Sequence, residues 1–124
     1  MGIFENLAQR RAWSEEENLV LEQVKRLADE VIAPRAEHYD KTGEFPTANV
    51  EAINALGLNG IFIPEAYGGT PMSYRLYLEV VKLISEACAS TGIIYATNFH
   101  GMKPLIDLGT EEQKRRLLPR IAQG

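Results

Sequence analysis

The fold class turns on Gly60-Ile61-Phe62-Ile63-Pro64. Ile61 to Ile63 is the longest run that reads as extended chain, and Pro64 stops it after three residues, too few to seed a sheet. No alternating strand pattern exceeds it and no internal repeat is present. Working outward on either side, the chain reads as helices joined by turns.

Toward the amino terminus, Pro46 suits the opening of a helix whose buried side is marked by Val50, Ile53 and Leu56. Gly57 is placed to end it in the left-handed conformation, with Leu58 folding back as the apolar partner. The run Asp40 to Glu44 is rich in turn formers, and Arg35 to Tyr39 reads as a short connecting segment. An earlier helix begins at Ser14, where Ser14-Glu15-Glu16-Glu17 is a capping box with acids suited to the helix dipole. Val20, Val24, Leu27, Ala28 and Val31 form its stripe, and Pro34 is expected to end it, giving a helix over roughly Glu15 to Ala33.

Toward the carboxyl terminus, Tyr67-Gly68-Gly69-Thr70-Pro71 predicts a tight irregular turn. Ser73 caps a helix striped by Leu76, Val80, Leu83, Ile84 and Ala87. Ser90-Thr91-Gly92 is expected to break it before a fourth helix from about Ile93, which Gly109 closes. Thr110-Glu111-Glu112-Gln113 is a second capping box, opening a last helix that Pro119 shortens or kinks. The prediction is an all-α bundle of about five to six helices over residues 14–124, preceded by a flexible lead-in at 1–13.

Apolar residues at 45% with charged residues at 24% mark a soluble globular chain, and 124 residues suffice for one core. A net charge of -4, with cations scattered among acids, offers no footprint for nucleic acid. Cys88 is the lone cysteine, which excludes an intrachain disulfide or a cysteine metal cluster and suits a reducing cytoplasm. The lead-in has no apolar h-region behind Arg10 and Arg11. The apolar stretch Gly92 to Leu108 is interrupted by Asn98, His100, Lys103 and Pro104, so no membrane span is expected.

Plain structural roles suit several conspicuous residues. Cys88 lies on a helix stripe and packs as a small apolar group. His100 has no second histidine near it, and no metal ligand set is assigned. Gly68-Gly69 lacks the framing and lysine of a phosphate loop. Lys114-Arg115-Arg116 reads as a solvated face pairing with nearby acids.

The fourth helix differs. It is apolar on most sides, with Lys103 the only formal charge between Glu86 and Asp107. Tyr95, Phe99 and Met102 fall on one face at spacings of four and three. That face is either an interface, the wall of an apolar pocket, or the centre of the chain's own bundle.

Glu44-Phe45-Pro46, Leu56-Gly57-Leu58, Ile63-Pro64-Glu65-Ala66-Tyr67-Gly68-Gly69 and Gly109-Thr110-Glu111-Glu112-Gln113-Lys114 occur in this order, with Ala89-Ser90-Thr91-Gly92 and Leu118-Pro119 between and after them. Together they resemble the acyl-CoA dehydrogenase family from about Ser14 to Gly124. The resemblance implies the amino-terminal helical domain of an enzyme that makes a double bond between the alpha and beta carbons of an acyl-CoA thioester. In such enzymes a glutamate takes the alpha proton and FAD takes the beta hydride, often for delivery to an electron-transfer flavoprotein. They serve fatty acid or amino acid catabolism as homodimers or homotetramers.

The family's middle β domain and carboxy-terminal helical domain, which build the flavin pocket and carry the glutamate, have no counterpart in the sequence. Glu44, Glu65, Glu111 and Glu112 therefore inherit no catalytic role, and no catalytic or cofactor-binding residue is assigned. The resemblance carries over an acyl wall at Ile94, Tyr95, Asn98, Phe99 and Met102, where the bulk of Tyr95 and Phe99 would favour small or branched acyl groups. It also implies a docking surface for the electron-transfer flavoprotein at Leu56, Leu58 and Met72, with Thr70 a polar departure that leaves room for another acceptor. The alternative is a stand-alone binding module descended from the same family.

Overall fold

In the computed structural model of the chain, Gly2 and residues 12–124 are described, and most of the lead-in expected at 1–13 lies outside them. The elements are α1 (Glu15–Leu27), a π-helical turn (Ala28–Ile32), α2 (Ala33–Thr42), α3 (Thr47–Ala55), two 3-10 turns (Leu58–Phe62 and Glu65–Tyr67), α4 (Tyr74–Ala87), α5 (Ala89–Leu108) and α6 (Glu111–Gln123). Among the described residues there is no strand.

Side-chain caps set three of the six α-helix starts among the described residues. Ser14 and Thr110 each cap through a reciprocal box with the residue three positions on, Glu17 and Gln113. Ser73 accepts from the Leu76 amide at the head of α4. Gly43 (φ 69°) and Gly57 (φ 69°) supply the left-handed residue after α2 and after α3, as expected for Gly57.

Four expectations need correction, each because a local signal met a tertiary solution. Pro34 does not end the first helix. The π turn before it lets the Ala33 amide reach back to the Ala28 carbonyl, and this wider turn accommodates the proline ring, which would clash in a regular helix. The Arg35 guanidinium then donates to the Val31 carbonyl at 2.9 Å, and the rod runs on to Thr42 through the segment read as a connection. Second, Ser90-Thr91-Gly92 does not break a helix. The break is the single extended residue Cys88 (φ -159°, ψ 110°), and α5 starts at Ala89.

Gly92 is required by proximity instead: a Cβ there would sit 2.1 Å from Ser85 Oγ and 2.7 Å from Ser85 Cα, so α4 and α5 touch backbone to backbone. Third, Ile61 and Phe62 belong to a 3-10 turn, and only Ile63 is extended (φ -92°, ψ 132°). Met72 and Thr70 amides return to the Ile61 and Gly60 carbonyls at 2.7 and 2.9 Å, so the loop after the glycine pair satisfies this segment's backbone. Fourth, Pro119 does not shorten α6, which continues through it to Gln123.

The glycine pair divides its work. Gly68 is left-handed (φ 84°), whereas Gly69 is packed so that a Cβ would fall 1.9 Å from the Ile63 carbonyl oxygen. The main core joins Val24, Leu27 and Ile32 of the first rod to Ile53, Leu58, Leu76, Val80, Ile84 and Tyr95. Cys88 is buried in it, as its place on the stripe implied. A smaller cluster of Ile63, Met102 and Leu118 holds α6. At the other end, Arg75 stacks 3.7 Å over Trp13 and donates to the Ala12 carbonyl, and Ser73 donates to Glu17 at 2.7 Å.

Candidate functional site

Helix α5 has an inner and an outer face, and the structure exchanges the two relative to expectation. Tyr95 is 1% exposed, and its hydroxyl donates to the Leu58 carbonyl at 2.9 Å. Burial pushes its phenol well above the usual tyrosine range, so it stays a neutral donor. Met102 is buried with Ile63 and Leu118. The Phe99 ring is enclosed by Phe62, Tyr74 and Tyr77, with ring centroids 5.3, 5.8 and 4.9 Å away.

Tyr95 and Met102 are therefore buried in the core of this chain, and Phe99 packs half-buried against it. Periodicity had correctly grouped the three residues but carried no sign for which face lies inside. The outer face of α5 carries Ile93 (64% exposed), Thr97, Gly101, Pro104 and Leu108 (86% exposed) along one stripe, with Ile94 and Asn98 beside it. Of the five expected wall residues, Ile94 and Asn98 border that open side, and Met102 lines the groove that runs from Asn98 along α5 and α6.

Asn98 belongs to a built arrangement. Its amide donates to Asn59 Oδ1 at 3.2 Å, and Asn59 donates in turn to Asn54 Oδ1 at 2.7 Å. Asn59 is buried, so the chain of three amides is fixed at its middle. These asparagines line a groove of about 470 Å³ with Val50, Leu117, Arg120, Ile121 and Gly124. It continues along α5 and α6 into a second stretch, also about 470 Å³, which shares Asn98, Leu117 and Ile121 and adds Thr97, Gly101, Met102 and Leu105. Asn54, Asn59 and Arg120 were missed in the sequence because they come from α3, a 3-10 turn and α6, with no common spacing to reveal them.

The docking residues also separate. Leu56 is 40% exposed and borders a groove of about 590 Å³ between α1 and α3, lined by Leu19, Glu22, Arg26, Leu27, Val31 and Ala55 among others. Leu58 is buried in the main core at the floor of a smaller groove that it lines with Leu19 and Leu56, and Met72 is half-buried against that core. Leu19, 61% exposed on α1, stands beside Leu56 in both grooves.

His100 is exposed, and Lys114 and Arg115 both approach the Glu111 carboxylate, at 3.9 and 3.8 Å. Among the described residues, no three metal-ligating side chains converge and no helix is long and apolar enough to cross a membrane. A bound flavin dinucleotide would need converging donors for its ring edge and phosphates. The α1/α3 groove is mainly aliphatic, and Gly68 and Gly69 are committed to the turn and to Ile63. The α1/α3 groove and the glycine pair do not fit that cofactor, and no chemical step through it is derived from them.

Comparison with known proteins agrees with the helical order. The family model described as acyl-CoA dehydrogenase, N-terminal domain, matches residues 14–124. The chain is 44% identical over 112 residues to the probable acyl-CoA dehydrogenase YngJ of Bacillus subtilis (strain 168), covering 90% of this chain and 30% of that protein. It is 36% identical over 109 residues to the cyclohex-1-ene-1-carbonyl-CoA dehydrogenase of Geobacter metallireducens, covering 88% and 29% respectively. A chain in the solved structure described as "Electron transferring flavoprotein of Acidaminococcus fermentans: Towards a mechanism of flavin-based electron bifurcation" superposes with a TM-score of 0.85 at 29% identity, over 92% of this chain and 30% of that one. This chain thus spans about 30% of the length of the curated relatives it matches. Matched over residues 14–124 by that model, it belongs to the acyl-CoA dehydrogenase family, of which it carries the N-terminal domain.

Proposed function

We propose that this chain is the amino-terminal helical domain of a flavin-dependent enzyme that oxidises acyl-CoA thioesters between their alpha and beta carbons. The domain is inactive alone. It contributes one wall of the acyl cavity through Ile94, Asn98 and Met102, and Tyr95 and Phe99 act behind that wall by holding α5 in place. FAD, bound elsewhere in the complete protein, supplies the hydride acceptor. The outer stripe of α5 becomes part of the subunit core, in a homodimer or homotetramer. The observation that carries the reading is the family match over residues 14–124, and it is supported by the apolar side of α5 left open between Ile93 and Leu108.

The groove between α1 and α3 suits docking of an electron-transfer flavoprotein, with Leu19 and Leu56 as apolar anchors. A buried lone cysteine is compatible with a reducing cytoplasm.

The test is an anaerobic titration of the complete gene product with acyl-CoA thioesters, followed by visible absorption. The expected result is a flavin band that bleaches as substrate is added. A colourless protein, or a flavin band that no acyl-CoA bleaches, would remove the dehydrogenase assignment and leave a helical binding module.

A further inference from the structure

The rotation of α5 about its own axis is not set by its apolar side chains. Those of α1, α4 and α6 gather on one side of each helix, whereas those of α5 are spread around it. The buried face of α5 carries Thr91, Gly92, Tyr95 and Met102, while Ile93 and Leu108 lie outside at 64% and 86% exposure. Burial of apolar area therefore gives little preference for this rotation over a neighbouring one, and whatever covers Ile93 and Leu108 in the complete protein only evens the two sides further. Directional contacts must choose.

Hydrogen bonds to three other elements do so. The Asn49 amide of α3 donates to the Thr91 hydroxyl at 3.0 Å, the Tyr95 hydroxyl donates to the Leu58 carbonyl at 2.9 Å, and the Tyr77 hydroxyl of α4 donates to the Ala96 carbonyl at 3.2 Å. The close contact with Ser85 adds a steric stop, because it admits Gly92 and not the side chains at 91 or 93. In the first of these bonds both side chains are 0% exposed, and Asn49 Oδ1 has no hydrogen-bond partner among the described residues. Leucine and valine would fill the same space without an unmet polar atom, so stability alone favours an apolar pair.

Resting on the reading of α5 as an acyl wall, we propose that Asn49, acting through Thr91, is a specificity-determining positioning residue. Their hydrogen bond fixes the rotation of α5, and with it the depth that Ile94, Asn98 and Met102 leave for the acyl chain. A helix is about 10 Å across with its side chains, so a turn of roughly 20° moves their tips by about 1.7 Å, the scale of one methylene. One methylene of misfit changes discrimination between acyl chains by about tenfold or more. Asn49 is wholly enclosed, so it reaches the acyl chain only through the placement of Thr91.

The experiment compares the complete enzyme with its Asn49→Leu/Thr91→Val double variant on butyryl-CoA, hexanoyl-CoA and octanoyl-CoA. The expected variant has a Tm no lower than the parent's, because the unmet polar atom is gone. Its kcat/KM ratio between the preferred chain and the next shrinks by at least about fivefold, with KM carrying most of the change. Thr91→Ser keeps the hydroxyl and holds the ratio within about twofold of the parent's. Should the double variant fail to fold, Thr91→Val beside Thr91→Ser isolates the same hydroxyl with the same readout. An unchanged ratio without the hydroxyl would overturn the inference, since apolar packing would then suffice to set the rotation. A lower Tm with equal loss on all three thioesters would also overturn it, because Asn49 would then be acting only structurally. A parent enzyme that oxidises all three equally well would leave Asn49 nothing to select, and would overturn the inference with the dehydrogenase reading intact. Oxidation of none, with no bleaching of a flavin, would overturn the proposed function itself, and the inference with it.

Discussion

Replacing Gly92 with alanine sets two effects of known size against each other. Gly92 lies in the first turn of α5, and helix propensity alone favours alanine by up to about 1 kcal/mol. The new Cβ, however, would lie 2.1 Å from Ser85 Oγ, 2.8 Å from Ser85 Cβ and 2.7 Å from Ser85 Cα. The hydroxyl can rotate away, but the backbone of α4 cannot, so the two helices must separate by several tenths of an ångström. That separation loosens packing around Ile84, Cys88 and Tyr95, and overpacking of this kind costs about 1 to 3 kcal/mol.

Contact outweighs propensity, and Gly92→Ala should lower stability by about 1 to 2 kcal/mol, or roughly 5 to 10 °C in Tm for a domain of this size. Urea and thermal unfolding of the variant beside the parent chain measure this directly. Ser85→Ala in the same background removes only the Oγ clash, so it should recover less than half of the loss. An unchanged or raised Tm in Gly92→Ala would refute the close-approach reading and return the glycine to an ordinary helix position.

Two other perturbations test separate parts of the structure. Glu17 accepts from the Ser14 amide and the Ser73 hydroxyl, with Arg75 at 4.0 Å, and these hold its carboxyl below the usual range. A lowered folded pKa contributes stability above the ordinary glutamate pKa of 4.5, and that stability is lost as pH falls through the folded value. Stability of Glu17→Gln should therefore fall less steeply across that acid window, and identical pH profiles for the two proteins would contradict the assignment. Leu19→Glu places a charge at the mouth of the α1/α3 groove and should slow reduction of an electron-transfer flavoprotein by at least about tenfold. Because Leu19 is 61% exposed, Tm should stay within about 2 °C, and an unchanged reduction rate would move docking off that groove.

Sequence and structure agree best where the determinant is local. The boxes at Ser14 and Thr110, the cap at Ser73 and the left-handed Gly57 are each settled by a few neighbouring residues, and each was readable. Pro34 and Gly92 were misread because their meaning depends on what lies opposite: a wider turn in one case and Ser85 in the other. The Tyr95, Phe99 and Met102 face was visible as a face, but only Leu58, Phe62 and Tyr77 reveal that it points inward. The asparagine chain could not be read at all, because positions 54, 59 and 98 are joined only by folding.

The joint at Cys88 has a mechanical consequence. Helices α4 and α5 meet with a single extended residue between them, so their mutual angle hangs on two backbone torsions (φ -159°, ψ 110°). A 20-residue helix is a lever of about 30 Å, and a 5° drift at its pivot would move the far tip by about 2.6 Å. The fastenings along α5 are spaced to stop this: Thr91 accepts from Asn49 at 3.0 Å near the pivot, Tyr95 and Asn98 hold the middle arm, and Met102 is clamped farther out. Beyond Met102 the arm ends at Leu108, 86% exposed. Whatever covers that tip feels every degree of play at the pivot, amplified by the full length of the arm.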